Sequence, residues 1–172
     1  GKGRCNVTNN CSREELLQNI PRNGRFLYGA FARFDSRDAM AFFERLGVPL
    51  KTERGNRVFP ASDHSSDVIA ALRKTMQSFG IETRFRAPVK RILAEDGRAA
   101  GVVLENGEKI SADAVIVATG GLAYPSTGST GDGYRFAREL GHTVTQITPS
   151  LVPFYVKETC AARMQGLALK NV

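Results

Sequence analysis

DAVIVATGGLAYPSTGSTGDG, residues 113–133, runs from a short apolar stretch into two glycine-rich turns and on toward a helix. Ala114 to Ala118 (AVIVA) is rich in β-branched residues, the pattern of a strand in a parallel sheet covered on both faces, so it is expected to be buried. Thr119, Gly120 and Gly121 follow at once. Glycine there permits positive φ and leaves no Cβ between the backbone and a flat or anionic group. Thr130-Gly131-Asp132-Gly133 then precedes YRFARELG, in which Phe136, Ala137 and Leu140 share a helical face and Gly141 can close the helix. The N–H groups of such a first turn lack intrahelical acceptors and suit an anion or a hydroxyl. Either glycine cluster alone is equally consistent with a tight turn. Two of them flanking a buried strand favour a ligand site, because open α/β sheets bind ligands beyond the carboxyl ends of their strands.

Outward from this stretch, the residues before it read as a meander: strands over 89–95, 99–105 and 108–111 joined by turns at Asp96-Gly97 and Asn106-Gly107. Further upstream, Ser12 and Glu15 have capping-box spacing, which predicts a helix over 13–19 ended by Pro21 and Gly24. Asp35 or Ser36 caps a helix that runs to Leu46, burying Met40, Phe43 and Leu46. A hairpin is expected from 48–51 and 57–60 across the 53–56 turn. The clearest helix covers 66–79, with Ile69, Leu72, Met76 and Phe79 as its core stripe. Strands are also expected over 81–86, 143–147 and 151–156. The order predicts an α/β doubly wound sheet that carries an antiparallel meander as its crossover.

At 172 residues and 42% hydrophobic, the chain suits one full domain, or one and part of another. No run reaches the roughly 18 apolar residues of a membrane span and no signal-peptide order opens the chain, so a cytoplasmic location without a membrane partner is expected. Cys5, Cys11 and Cys160 are too few and odd in number for a disulfide framework. The net charge of +7 is concentrated early: residues 1–60 hold 11 Lys/Arg against 6 Asp/Glu, the rest 13 against 11. A basic nucleic-acid-binding domain is therefore one reading, but no RNP-like aromatic motif, zinc-finger spacing or basic run accompanies the charge, and nucleic acid is not the expected partner. Cys5 and Cys11, with five residues between them, do not form a redox pair. His64 and His142 are isolated, so no metal site is expected. No acid or base can be named, and the catalytic residues stay open.

Four ordered segments carry a resemblance: GKGRCNVTN at 1–9, ATGG at 118–121, TGSTGDGY at 127–134 and the LGHTV…PSLVPF run at 140–154. They resemble the bacterial NAD(P)/FAD-dependent oxidoreductase (flavoprotein) family that includes the bile-acid 3-dehydro-Δ4,6-steroid reductase. More distantly, the ATGG…TGDG pairing is similar to the FAD domain of fumarate reductases and succinate dehydrogenases. The resemblance implies an FAD/NAD(P)-binding Rossmann-like fold. Such folds open with a strand, G-x-G-x-x-G and a helix. Gly1-Lys2-Gly3 fails that fingerprint, having Asn6 at the sixth position. The chain is accordingly expected to be an interior fragment lacking its first βα unit, with 1–156 an incomplete FAD-binding domain and 157–172 the start of a second, substrate-side domain.

The resemblance also implies site residues. The loop Gly3, Arg4, Cys5, Asn6, Val7 and Thr8 would run beside the flavin ring and ribityl chain, with Arg4 and Asn6 as donors. On its residue type alone, Arg4 would pair with a carboxylate. Val89 would hold the adenine through its backbone. Thr119, Gly120 and Gly121 would pass near the phosphate and ribityl region, and Gly131, Asp132 and Gly133 would face the other end of the flavin. Asp132 either accepts a ribityl hydroxyl or caps its helix. The implied function is hydride transfer through FAD, with NADH or NADPH as a candidate reductant and an unsaturated or carbonyl small molecule as substrate. The alternative is a folded, non-catalytic module that does not hold FAD by itself and that self-associates through a sheet edge or apolar face left open.

Overall fold

The structure, a computed structural model, describes residues 3–149, 156–164 and 166–167. It divides into two compact units, one running through Thr83 and the other beginning at Arg84.

The first unit opens on a short strand, β1 (Thr8–Asn9). Helix α1 (Arg13–Gln18) follows with its capping box formed: Ser12 Oγ accepts from the Glu15 N–H at 3.2 Å and Glu15 Oε2 from the Ser12 N–H at 2.7 Å. A 3₁₀ turn over Gly24–Leu27 leads into α2 (Tyr28–Arg33), which at six residues is too short to show a helical periodicity in the sequence. Helix α3 (Ser36–Arg45) is capped by Asp35, which accepts from the N–H groups of Arg37 and Asp38 at 2.9 and 3.2 Å. Its Ser36 is buried and donates to the Cys11 carbonyl at 2.9 Å.

The expected hairpin exists as β2 (Leu50–Glu53) and β3 (Arg57–Pro60), turning through Gly55 and Asn56 at φ 72° and 57°. It starts two residues later than the sequence suggests, because Val48 closes α3 by donating to the Phe43 carbonyl at 3.0 Å. Strand β3 is central in the antiparallel order β1-β3-β2. Helix α4 (Ser65–Ser78) lies where expected but buries another face. Val68 and Ala71 are buried, whereas Ile69 and Phe79 of the anticipated core stripe are 64% and 77% exposed. Each residue turns a helix by about 100°, so the two stripes are neighbours, and the smaller Val/Ala face is the one that packs on Val48.

The second unit holds the predicted meander: β4 (Val89–Glu95), β5 (Arg98–Leu104) and β6 (Lys109–Ser111), antiparallel in that order. Asp96 and Gly97, at φ 48° and 74°, form the left-handed two-residue turn that the right-handed strand twist requires. Register shifts leave Lys90 of β4 and Ala100 of β5 as bulged residues. Helix α5 (Asp132–Glu139) buries Phe136 and closes through Gly141 at φ 85°, with the His142 N–H donating to the Ala137 carbonyl at 2.9 Å. A last short helix, α6, covers Cys160–Arg163.

Helices with two three-stranded antiparallel sheets give the chain its α/β character. The predicted strand over 114–118 has no ladder partner among the described residues, and Ile116 is 91% exposed. β-branched composition favours an extended chain, but a strand exists only when another strand takes its N–H and C=O groups. The same holds for 81–86 and 143–147, which form no strand. The strand expected over 151–156 lies largely outside the described residues.

Candidate functional site

In the first unit the segment from Gly3 to Thr8 is laid against β3. The Val7 N–H donates to the Val58 carbonyl at 2.8 Å, and Thr8 pairs with Val58 in the ladder. At its start, Gly3 sits at φ 92° and its carbonyl accepts from the Ser65 N–H of α4 at 2.8 Å. The alternation of an extended chain then sorts the side chains. Cys5 and Val7 pack on the core formed by Val48, Val68 and Ala71. Cys5 therefore serves packing, and Arg4 and Asn6 are exposed.

Arg4 is strongly engaged with protein. Its Nε and Nη2 reach Asp63 Oδ1 at 2.8 and 2.5 Å, Nη2 reaches Glu53 Oε1 at 2.6 Å, and the guanidinium lies 4.1 Å from the centroid of the Phe59 ring. Lys51 completes the cluster through Asp63 at 2.6 Å. Hydrogen bonds to Glu53 and then Asp63 hold the Arg4 pKa above its ordinary value. Glu53 is held low chiefly by Arg4, and Asp63 by Lys51 ahead of Arg4. The Asn6 amide is likewise committed, donating to the Thr8 and Val58 carbonyls at 2.7 and 3.0 Å. Both donors named from the sequence thus brace their own loop. Glu53, Lys51, Phe59 and Asp63, which brace it in return, carry no motif and are joined to Arg4 only by folding.

In the second unit the two glycine turns meet each other. A Cβ on Gly120 would stand 2.9 Å from Ser129 Oγ, one on Gly131 would stand 2.9 Å from Leu122 Cδ1, and one on Gly133 would stand 2.9 Å from Thr119 Oγ1. Gly121 similarly faces the Tyr134 hydroxyl at 3.5 Å. Gly120, Gly131 and Gly133 let the ATGG and TGDG turns close on one another, a reason for glycine that the sequence alone does not reveal, whereas a Cβ on Gly121 would make only ordinary contact.

Gly131, at φ 86°, is the N-cap of α5, and no side chain caps the helix. Asp132 therefore does not act as its cap. Its carboxylate accepts from Thr130 Oγ1 at 2.7 Å and Arg135 Nη2 at 3.1 Å, and these two bonds, Thr130's first, hold its pKa below the ordinary range. The N–H groups of Asp132 and Gly133 find no acceptor among the described residues, so this helix start can donate to an oxygen of a ligand. Arg135 was readable from spacing, since it stands three residues after Asp132 and four before Glu139. Arg135 also reaches β4, donating from Nη1 to the Lys90 carbonyl at 2.5 Å beside Val89.

The described residues contain no cluster of three His, Cys, Asp or Glu side chains able to hold a metal, and no helix among them is long and apolar enough to cross a membrane. With the two glycine turns, the meander and the Gly3–Thr8 loop in place, comparison with known sequences settles the kinship. The profile of the HI0933-like protein Rossmann domain matches residues 1–170.

The chain belongs to that family. It is a flavin-binding Rossmann family, in agreement with the flavoprotein resemblance. Among characterised relatives, a 3-dehydro-bile acid delta(4,6)-reductase from Clostridium scindens is 32% identical over 169 residues, covering 97% of this chain and 40% of the relative. Ribosomal RNA dihydrouridine synthases from Haemophilus influenzae and Escherichia coli are each 27% identical, over 92% and 98% of this chain and 39% and 41% of their own lengths. The chain therefore spans about 40% of the length of the characterised relatives it matches.

Proposed function

We propose that this HI0933-like Rossmann domain contributes the adenine and ribityl contacts of an FAD site in a flavin-dependent oxidoreductase. The observation that carries this reading is the packed pair of glycine turns, which leaves the Asp132 and Gly133 N–H groups as unused donors at the start of α5. Bound FAD would supply the hydride chemistry, with NADH or NADPH as reductant and an unsaturated or carbonyl small molecule as substrate. In the second unit the residues proposed as FAD contacts are Val89, Thr119, Gly120, Gly121, Gly131, Asp132 and Gly133; in the first, the loop Gly3, Arg4, Cys5, Asn6, Val7 and Thr8 is proposed to contact flavin through its backbone, the Cys5 and Val7 side chains being packed on the core. In the first unit the backbone and the outer edge of Arg4 suit this role better than the Asn6 amide, whose two protons are committed. The domain assignment follows the same reading, with 1–156 as FAD-binding and 157–172 opening a substrate-side domain.

No residue of the chain supplies a G-x-G-x-x-G pyrophosphate grip, which provides much of the affinity in this fold class. The isolated 172-residue chain is therefore expected to bind FAD weakly and to behave as a non-catalytic module. Titration with FAD, followed by quenching of flavin fluorescence, should show saturable binding that does not survive gel filtration. Absence of saturation up to millimolar FAD would count against the reading. The open apolar side chains of Ile116 and Val117, 91% and 45% exposed, favour self-association of the chain. Size-exclusion chromatography should give a concentration-dependent elution volume, and a monomer at every concentration would reject this.

A further inference from the structure

We propose that Arg135 is a positioning residue for the adenine half of the cofactor, acting by holding the β4 bulge at Lys90 and with it the backbone of Val89. The proposal rests on the FAD reading above and concerns a residue that no motif marks.

The register supplies the reason. Val89 pairs with Leu104 and Arg91 with Val103, so Lys90 is an extra residue with no partner on β5. A bulge of this kind takes a residue out of the ladder and leaves its backbone groups in need of other partners. Strand β4 is also an edge of its sheet among the described residues, where no further strand takes up the freed carbonyl. Arg135 does so from α5: its Nη1 donates to the Lys90 carbonyl at 2.5 Å, and its Nη2 lies 3.5 Å from the Val89 carbonyl.

The guanidinium is itself fixed on several sides. Asp132 accepts from Nη2 at 3.1 Å, Glu139 accepts from Nη1 at 3.0 Å, and the guanidinium carbon lies 4.5 Å from the centroid of the buried Phe136 ring. A planar fork with donors on two terminal nitrogens can satisfy a carbonyl and two carboxylates together, which a lysine ammonium on a flexible stem does far less well. Arg135 thus ties the TGDG turn, through Asp132, to the strand start that carries Val89. An adenine recognised by backbone groups has no side-chain adjustment to correct a misplaced strand, so the orientation of that backbone sets its affinity.

The test compares ligands that contain the adenine with one that lacks it. ADP, FAD and FMN are titrated by calorimetry into the 172-residue chain and into Arg135→Ala, Arg135→Lys and Glu139→Gln. Arg135→Ala should weaken ADP and FAD about tenfold or more and change FMN less than twofold. Arg135→Lys, which keeps the charge and protects folding, should show the same split in smaller measure. Glu139→Gln, which removes the charge of one of the groups fixing the guanidinium but leaves an acceptor for Nη1, should show the split in the smallest measure. An equal loss of ADP and FMN in the arginine variants, or no loss of either, overturns the positioning role while leaving FAD binding intact. If the wild-type chain binds neither ADP nor FAD at millimolar concentration, the FAD reading fails and this inference falls with it.

Discussion

Replacing Gly101 by alanine is expected to unfold the meander. Gly101 lies in β5 between Leu93 of β4 and Ser111 of β6, at φ 141°, next to the bulged Ala100. A Cβ there would overlap the Ile110 carbonyl oxygen and stand 2.9 Å from Ser111 Cα, both backbone atoms that cannot rotate away. Backbone strain of about 1–3 kcal/mol adds to an overpacking cost of about 1–3 kcal/mol. Their sum at its upper end meets the lower end of the stability of a small domain, about 5–15 kcal/mol. Gly107→Ala provides the control: Gly107 also has positive φ, at 89°, but nothing lies within 4 Å of its Cβ position. Gly101→Ala should lose the protected amides of β5 and β6 in hydrogen exchange, and Gly107→Ala should lose only the strain term. Equal protection in the two variants would refute the packing argument.

The second large effect is expected at Val58, which is fully buried in the central strand of the first unit. Val58→Asp places an unpaired carboxyl in an apolar site, a cost of about 3–5 kcal/mol. Its consequence extends to the proposed cofactor loop, because the Val58 carbonyl accepts from both the Val7 N–H and the Asn6 amide. Chemical denaturation should show the first unit unfolded or far less stable, with exchange at Val7 and Asn10 raised to the unprotected rate. Val58→Ile should retain the loop. A Val58→Asp protein with wild-type denaturation would show that the strand tolerates this charge and would remove β3 as the loop's support.

The elements that the sequence reveals are those whose signals are local. Ser12 with Glu15 forms the capping box that its spacing predicts, Asp35 is the cap of α3 out of the two candidates Asp35 and Ser36, and Asp96-Gly97 turns the meander. Where two apolar stripes share one helix, as in α4, periodicity identifies the helix but not the buried face. The candidate site divides along the same line. The glycines of ATGG and TGDG are visible as residues, but their mutual packing is not, because a space filled by Leu122 or Thr119 looks the same in sequence as a space left for a ligand. The resemblance makes Arg4 and Asn6 donors to the flavin, and only the folded structure shows what accepts their protons.

The sequence by itself determined the family, through a match that runs over residues 1–170, and the α/β character, the helix caps and the order of the meander, since caps and turns follow from hydrogen bonds and spacings within a few residues. The tertiary structure alone decided which groups remain available to a ligand. It committed Arg4 to Glu53 and Asp63, turned the glycine turns against one another and brought Arg135 to the bulge at Lys90. Each of the Arg4 and Arg135 contacts joins residues more than 40 positions apart, and whether a donor is spent or free depends on which acceptor folding carries to it.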